Sequence, residues 1–164
     1  PQFQKTDNIN KWYDHPDSLD ESKFSIPLIE NVADQLKAAK RNGDVCILIT
    51  RRVPELTPNI DKLLKKHELK FDETFVIGHN TSKISVLEDF LRKRTLDDDN
   101  LEALTIFEDC MYQILEYQKY MMHPDNPFRI DEYETNYFFV DKTHIIRIET
   151  LDAEIIEKIK LKLS

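Results

Sequence analysis

Three groups of residues have the types and order to do phosphoryl chemistry. Thr50 is followed by Arg51 and Arg52, Lys83 comes next along the chain, and Glu108 and Asp109 form an acidic pair. A threonine hydroxyl can hydrogen-bond a phosphate oxygen. A lysine can offset the charge that develops as a phosphoryl group moves. Adjacent carboxylates supply the hard oxygen ligands that Mg²⁺ prefers, and Mg²⁺ keeps several of its waters. Arg51 and Arg52 are candidate contacts to an anionic substrate. Each group also has a plain structural role. Thr50 can cap a strand end, Lys83 can sit in solvent on a helix, and Asp109 can cap the helix that follows and favour its dipole.

These residues matter only if secondary structure brings them to one end of a sheet. A helix is expected from Pro27 to about Arg41, capped by Ser25, with Ile26, Ile29, Val32, Ala33 and Leu36 at helical spacing and Gly43 just past its end. Asp44 to Thr50 reads as a buried strand. A second helix opens at Thr57-Pro58 and buries Ile60, Leu63 and Leu64. Phe71 to Gly78 is a second strand. Asn80 or Thr81 is expected to cap a third helix with Ile84, Leu87, Phe90 and Leu91 on its apolar face, before an acidic loop at 95–99. Ala103 to Asp109 is a third strand. The helix after it, Met111 to Met122, has Met111, Ile114, Leu115 and Met122 as its expected face. Tyr133–Val140 and His144–Ile148 read as a hairpin, and a last helix is expected over 152–162. Alternating strands and helices over 27–122 predict a parallel sheet flanked by helices. Ligands of such sheets bind beyond the carboxyl ends of the strands, which selects Thr50 with Arg51, Gly78 with His79, and Glu108 with Asp109.

Composition narrows the choice further. The 164 residues suit a single domain, expected over 1–164, that buries roughly 70% of its unfolded surface. With only two glycines, Gly43 and Gly78, most glycine-rich phosphate loops are excluded. No apolar run reaches the roughly 18 residues of a membrane span. The net charge of −8 disfavours a broad nucleic-acid surface. Local basic stretches remain at Lys62, Lys65, Lys66 and Lys70 and at Arg92, Lys93 and Arg94, both readable as solvated helix faces. Cys46 and Cys110 form no C-x-x-C motif, so free thiols in an intracellular, reducing compartment are expected. The histidines His15, His67, His79, His123 and His144 show no metal-ligand spacing. Tyr112, Tyr117, Tyr120, Tyr133, Tyr137, Phe138 and Phe139 supply aromatics for an interface or, more simply, for a core.

The order strand-Thr, helix-Lys, strand-acidic pair resembles that of haloacid dehalogenase (HAD) phosphohydrolases. More specifically, CILITRR, NIDKLLKKHELKFDETF, TSKISVLEDFL and LTIFEDCMYQ resemble the HAD domain of the Swiss Army Knife RNA repair-like proteins, over roughly residues 6–121. The resemblance implies a Rossmann-like HAD-type parallel sheet with flanking helices, here followed by the C-terminal hairpin and helix. It implies an aspartate nucleophile that forms an aspartyl-phosphate, Mg²⁺ held by Asp109 and Glu108, and Thr50 and Lys83 steadying the transferred group. This chain departs from the pattern at several points. Arg51 stands where the family's Thr-Gly-Arg has glycine. Either His79 takes the place of the family threonine that precedes the lysine, or Ser85 takes the place of the lysine itself. Cys110 and Gln113 replace an arginine and a histidine. The Asp-x-Asp-x-Thr nucleophile motif is absent. Thr6-Asp7-Asn8-Ile9-Asn10 corresponds to the stretch that follows that motif, so the nucleophile strand, which lies between the strands ending at Thr50 and Asp109 in the resembled fold, is expected upstream of Pro1, or another segment such as the Tyr133–Ile148 hairpin fills its place, though an edge position suits that hairpin better.

Two functions follow as expectations. The first is a degenerate HAD-like module, inactive as given, that binds a protein or RNA partner. The second is a Mg²⁺-dependent phosphohydrolase, with RNA ends among its substrates, whose nucleophile lies outside this chain.

Overall fold

The α-helix Glu30–Arg41 (α1) begins where Ile29 turns the chain inward, three residues after Pro27, and no side chain caps it. Ser25 therefore does not serve as its cap. Ala33 is the buried residue on its inner face. The helix closes in a Schellman motif: Gly43 N donates to Lys40 O at 3.1 Å and Asp44 N to Ala39 O at 3.0 Å, with Gly43 at φ 83°. A computed structural model describes residues 12–96, 101–128, 134–141, 144–148 and 161.

Strand Ile47–Thr50 (β1) pairs in parallel with Glu73–Val76 (β2), Ile47 opposite Glu73 and Thr50 opposite Val76. Both strands are shorter than the sequence pattern suggests. Asp72 makes the difference at the amino end. Its amide donates to Cys46 O at 2.7 Å and its Oδ2 accepts from Cys46 N at 2.7 Å, a side-chain bridge in place of further ladder. Between the strands lies a 3₁₀ turn, Pro54–Leu56, with Leu56 buried, followed by helix Thr57–Lys66 (α2), which buries Ile60. Thr57 lies inside α2, and its hydroxyl donates to Pro54 O at 2.6 Å.

Helix Lys83–Leu96 (α3) starts at Ser82, whose hydroxyl accepts from Ile84 N at 3.1 Å. Ser82, rather than Asn80 or Thr81, is thus the capping side chain. The helix extends through Leu96, so residues 95 and 96 of the stretch expected as a loop are helical, and 97–99 lie outside the described residues. The chain divides into two units, Pro1–Val86 and Leu87–Ser164.

In the second unit, strand Ala103–Glu108 (β3), helix Met111–Met122 (α4) and strand Glu134–Asp141 (β4) form a β-α-β unit, with β3 and β4 parallel and Ala103 opposite Glu134. Strand His144–Ile148 (β5) returns antiparallel on β4. The hairpin expected from the sequence is present, and its first strand lies directly against β3 while β5 takes the edge. The cross-strand neighbours Phe107 and Phe138 stack with centroids 5.0 Å apart. Ile114, Leu115, Tyr117, Gln118 and Met121 are the buried residues of α4. Met121 is fully buried and Met122 about half exposed, at 49%, which corrects the expected face. From Ile114, positions 118 and 121 continue one stripe at helical spacing, while 122 falls at its margin. Buried Asn126 organises the exit from α4, donating from Nδ2 to Tyr120 O at 3.1 Å and accepting from Phe128 N at 2.9 Å.

The described architecture is mixed α/β, with four α-helices, a two-stranded parallel sheet and a three-stranded mixed sheet. The helix expected over 152–162, apart from residue 161, and the Thr6–Asn10 stretch lie outside the described residues.

Candidate functional site

In the first unit the polar residues gather where β1 and β2 end. Parallel pairing carries the chain past both strands in register, so Ile77 N donates to Thr50 O and Gly78 N to Arg52 O, each at 2.9 Å. Gly78 is buried at φ 72°, a conformation that a side chain resists, and it turns the chain into His79.

The segment 12–24 meets this end of the sheet. Trp12 packs edge-on against Phe24 and stacks on His15, which holds the segment together. A 3₁₀ turn, Pro16–Leu19, follows, and His15 Nδ1 accepts from Asp17 N at its start. Tyr13, Asp14 and Ser18 then meet the strand ends. The Arg52 guanidinium lies 3.7 Å from the centroid of the Tyr13 ring. Its Nη1 donates to Ser18 Oγ at 2.8 Å and also to Tyr13 O. Burial pushes the Arg52 pKa down, and Tyr13 and Asp14 partly restore it. Thr50 Oγ1 lies 3.4 Å from the Tyr13 hydroxyl and accepts from Arg52 N at 3.4 Å, both at the long limit of a hydrogen bond. Asp14 bridges the two strand ends: Oδ1 accepts from Val53 N at 3.2 Å and Oδ2 from His79 Nε2 at 2.6 Å.

Of the residues singled out in the sequence, Thr50 and Arg52 are thus brought together. Arg51 is exposed, with no side-chain hydrogen bond or ion pair among the described residues. Lys83 is the first residue of α3 and half-buried. His79 is marked in the sequence by its place after a strand, but its partner Asp14 and the contacts of Tyr13 are not. These partners lie 34 to 65 residues away in the chain, and no spacing rule connects them.

The acidic pair belongs to the second unit. Glu108 ends β3 with its side chain buried, and Oε1 accepts from Asp109 N at 3.2 Å. Its charge adds to the burial that raises the Tyr117 pKa. Asp109 is exposed. The N-cap of α4 is Cys110, with no side-chain cap bond, so Asp109 is not the cap that the sequence allowed. It still favours the helix dipole, by about 0.3–1 kcal/mol. Among the described residues no group of three or more His, Cys, Asp or Glu side chains is placed to hold a metal ion. Mg²⁺ asks for less than that, one or two carboxylates with waters and a phosphate, and exposed Asp109 meets that minimum with Glu108 beside it in sequence. His67 pairs with the carboxylate of Glu21, His79 with that of Asp14 and His123 with that of Asp125.

In comparisons with known proteins, no family model, no curated protein and no solved structure matches the chain.

Proposed function

We propose that this chain is a degenerate HAD-like α/β module, catalytically inactive as it stands, that works by binding a partner. The observation that carries this reading is the state of Arg52. The cation that would meet a phosphate at the end of β1 is stacked on Tyr13 and bonded to Ser18, and Thr50 is turned to the same segment. Stacking and the two Nη1 bonds tie this guanidinium to segment 12–24, and only its Nη2 and Nε donors remain for an anion. The formal charge of −8 favours a protein partner over RNA. Exposed Tyr112 and Met122 on α4 and exposed Ile146 on β5 offer apolar contacts. Cys46 and Cys110 are free thiols, which supports a reducing compartment. Among the described residues no helix is long and apolar enough to cross a membrane.

The second reading is a Mg²⁺-dependent phosphohydrolase whose nucleophile aspartate lies upstream of Pro1. Exposed Asp109 after β3 favours it, since a carboxylate there is open to a cation. Asp109 with Glu108 would hold Mg²⁺, which supplies charge neutralisation at a phosphoryl group. Melting temperature against Mg²⁺ concentration separates the two. The module reading expects no Mg²⁺-dependent shift. A rise that Asp109→Asn removes would mean a working metal site and would favour the enzyme.

A further inference from the structure

At the amino end of β1 and β2, opposite the strand ends described above, α1 and the loop after α2 border an open cleft of about 410 Å³. It is lined by Leu36, Lys37, Lys40 and Arg41 from α1 and by Glu68 and Lys70 from the loop. In sequence Lys70 belongs with the lysines of α2. In the fold it joins those of α1, while Lys66 turns away to pair with Glu21.

Lys37, Lys40 and Arg41 sit three and four residues apart, so their charges share one helix face and repel. The dipole of α1 explains Lys40 and Arg41, which lie in its last turn. It does not explain Lys37 or Lys70. Lys40 is neutralised by Asp72 at 2.7 Å, and Asp72 is itself fixed by Cys46 N. Among the described residues Lys37, Arg41 and Lys70 have no ion-pair partner. With Glu68 included, the cleft keeps a net charge of about +2 in a chain that is otherwise acidic.

Glu68 is itself unusual. It occupies the C′ position of a second Schellman motif, at the end of α2. Its amide donates to Lys65 O at 3.1 Å and Leu69 N to Leu64 O at 2.9 Å, with Glu68 at φ 54°. The equivalent position after α1 is Gly43. A side chain in this conformation is strained, and here it puts Glu68 on the cleft wall.

We infer that this cleft binds a small phosphomonoester, with Lys37, Arg41 and Lys70 around the phosphate and the organic part against Leu36. The charge matches: a phosphomonoester carries about −1.5 to −2 at pH 7. The volume lies within the roughly 300–1,000 Å³ of small-molecule sites and exceeds what a bare phosphate fills. Glu68 limits the positive charge and so disfavours ligands with two or more phosphates. The site is independent of the reading proposed for the strand carboxyl ends.

Calorimetric titration of the full chain with adenosine monophosphate, glucose 6-phosphate and adenosine tests this. Both monoesters should bind and adenosine should not. Lys37→Gln with Arg41→Gln should weaken binding about tenfold or more. Lys62→Gln with Lys93→Gln, which removes the same charge elsewhere, should leave it within about twofold. Glu68→Gln should raise the affinity for adenosine diphosphate relative to the monophosphate. Circular dichroism melts of each variant exclude loss of fold as the cause. The inference is overturned by adenosine binding as well as its monophosphate, by no binding of either monoester, or by equal losses in both double variants. A short single-stranded RNA bound more tightly than the mononucleotide, and lost in the same variants, would overturn it in favour of a nucleic-acid surface.

Discussion

Segment 12–24 of the first unit and the core of the second are held by different physics. In the first, the contacts that secure segment 12–24 are polar and partly exposed: Arg52 on Tyr13 and Ser18, Asp14 on His79 and Val53, Glu21 on Lys66 and His67. In the second, Ile114, Leu115 and Met121 are almost wholly buried, and Tyr117 and Tyr137 are buried with them. Hydrogen bonds and ion pairs near water contribute little each and depend on protonation. Apolar burial contributes more per residue and is indifferent to pH until a buried tyrosine must ionise. The candidate site residues Thr50 and Arg52 thus lie where contacts are weaker and easier to rearrange, and the second unit supplies the stiffer framework around Glu108.

The largest expected effect breaks the second unit. Ile114→Ala should cost about 2–5 kcal/mol in urea unfolding, because the side chain is fully buried and a cavity is left behind. A loss under about 1 kcal/mol would mean that this core is loosely packed.

Next comes the clamp of the first unit. Arg52→Met keeps much of the stem but removes the guanidinium, and should cost roughly 1–3 kcal/mol. Limited proteolysis should then cut within 12–24 faster than in the parent protein. Unchanged cleavage would show that Arg52 does not hold the segment.

The pH limits should differ as well. Burial pushes the Tyr120 hydroxyl up to about 12, with the Glu88 charge adding to it, and pushes Tyr117 and Tyr137 higher still. Groups with raised pKa favour the folded, protonated state. Their contribution is intact below the ordinary tyrosine value of about 10 and is lost as pH rises through the raised values. Ultraviolet titration should therefore show these three tyrosines ionising late, together with unfolding of the second unit. Ionisation of all six near the ordinary value would contradict their burial.

The smallest effect is acidic. Hydrogen bonds from Lys66 and then His67 lower the pKa of Glu21. A lowered carboxylate pKa contributes stability above its unfolded value, and that contribution is lost as pH falls through the folded one. Glu21→Gln should flatten the acid side of the melting-temperature profile slightly, and an unchanged profile would rule the pair out as a contributor.

These contrasts also explain what the sequence could and could not reveal. Local periodicity located α4 at Met111–Met122 and the β4–β5 hairpin, because spacing and turn chemistry are local. Helix starts were less legible. Ser25, Asn80 and Thr81 are all reasonable caps by type, yet Ile29 and Ser82 hold those places, since geometry selects among several candidate residues. Strand ends were shortened by Asp72, a side chain replacing ladder bonds. Thr50, His79 and Asp109 could be picked out by their position after strands. The partners of Thr50 and His79 could not, because Tyr13 and Asp14 reach them only through tertiary folding. The regrouping of Lys70 with Lys37 and Arg41 was hidden for the same reason.

On the function proposed above, this chain binds and does not catalyse. The most direct measurement is hydrolysis of a phosphomonoester such as p-nitrophenyl phosphate by the chain, with saturating Mg²⁺ and with chelator, for the parent protein and Asp109→Asn. No turnover above the buffer rate is expected in any of these. Mg²⁺-dependent turnover that Asp109→Asn abolishes would contradict that function and make the acidic pair a catalytic metal site.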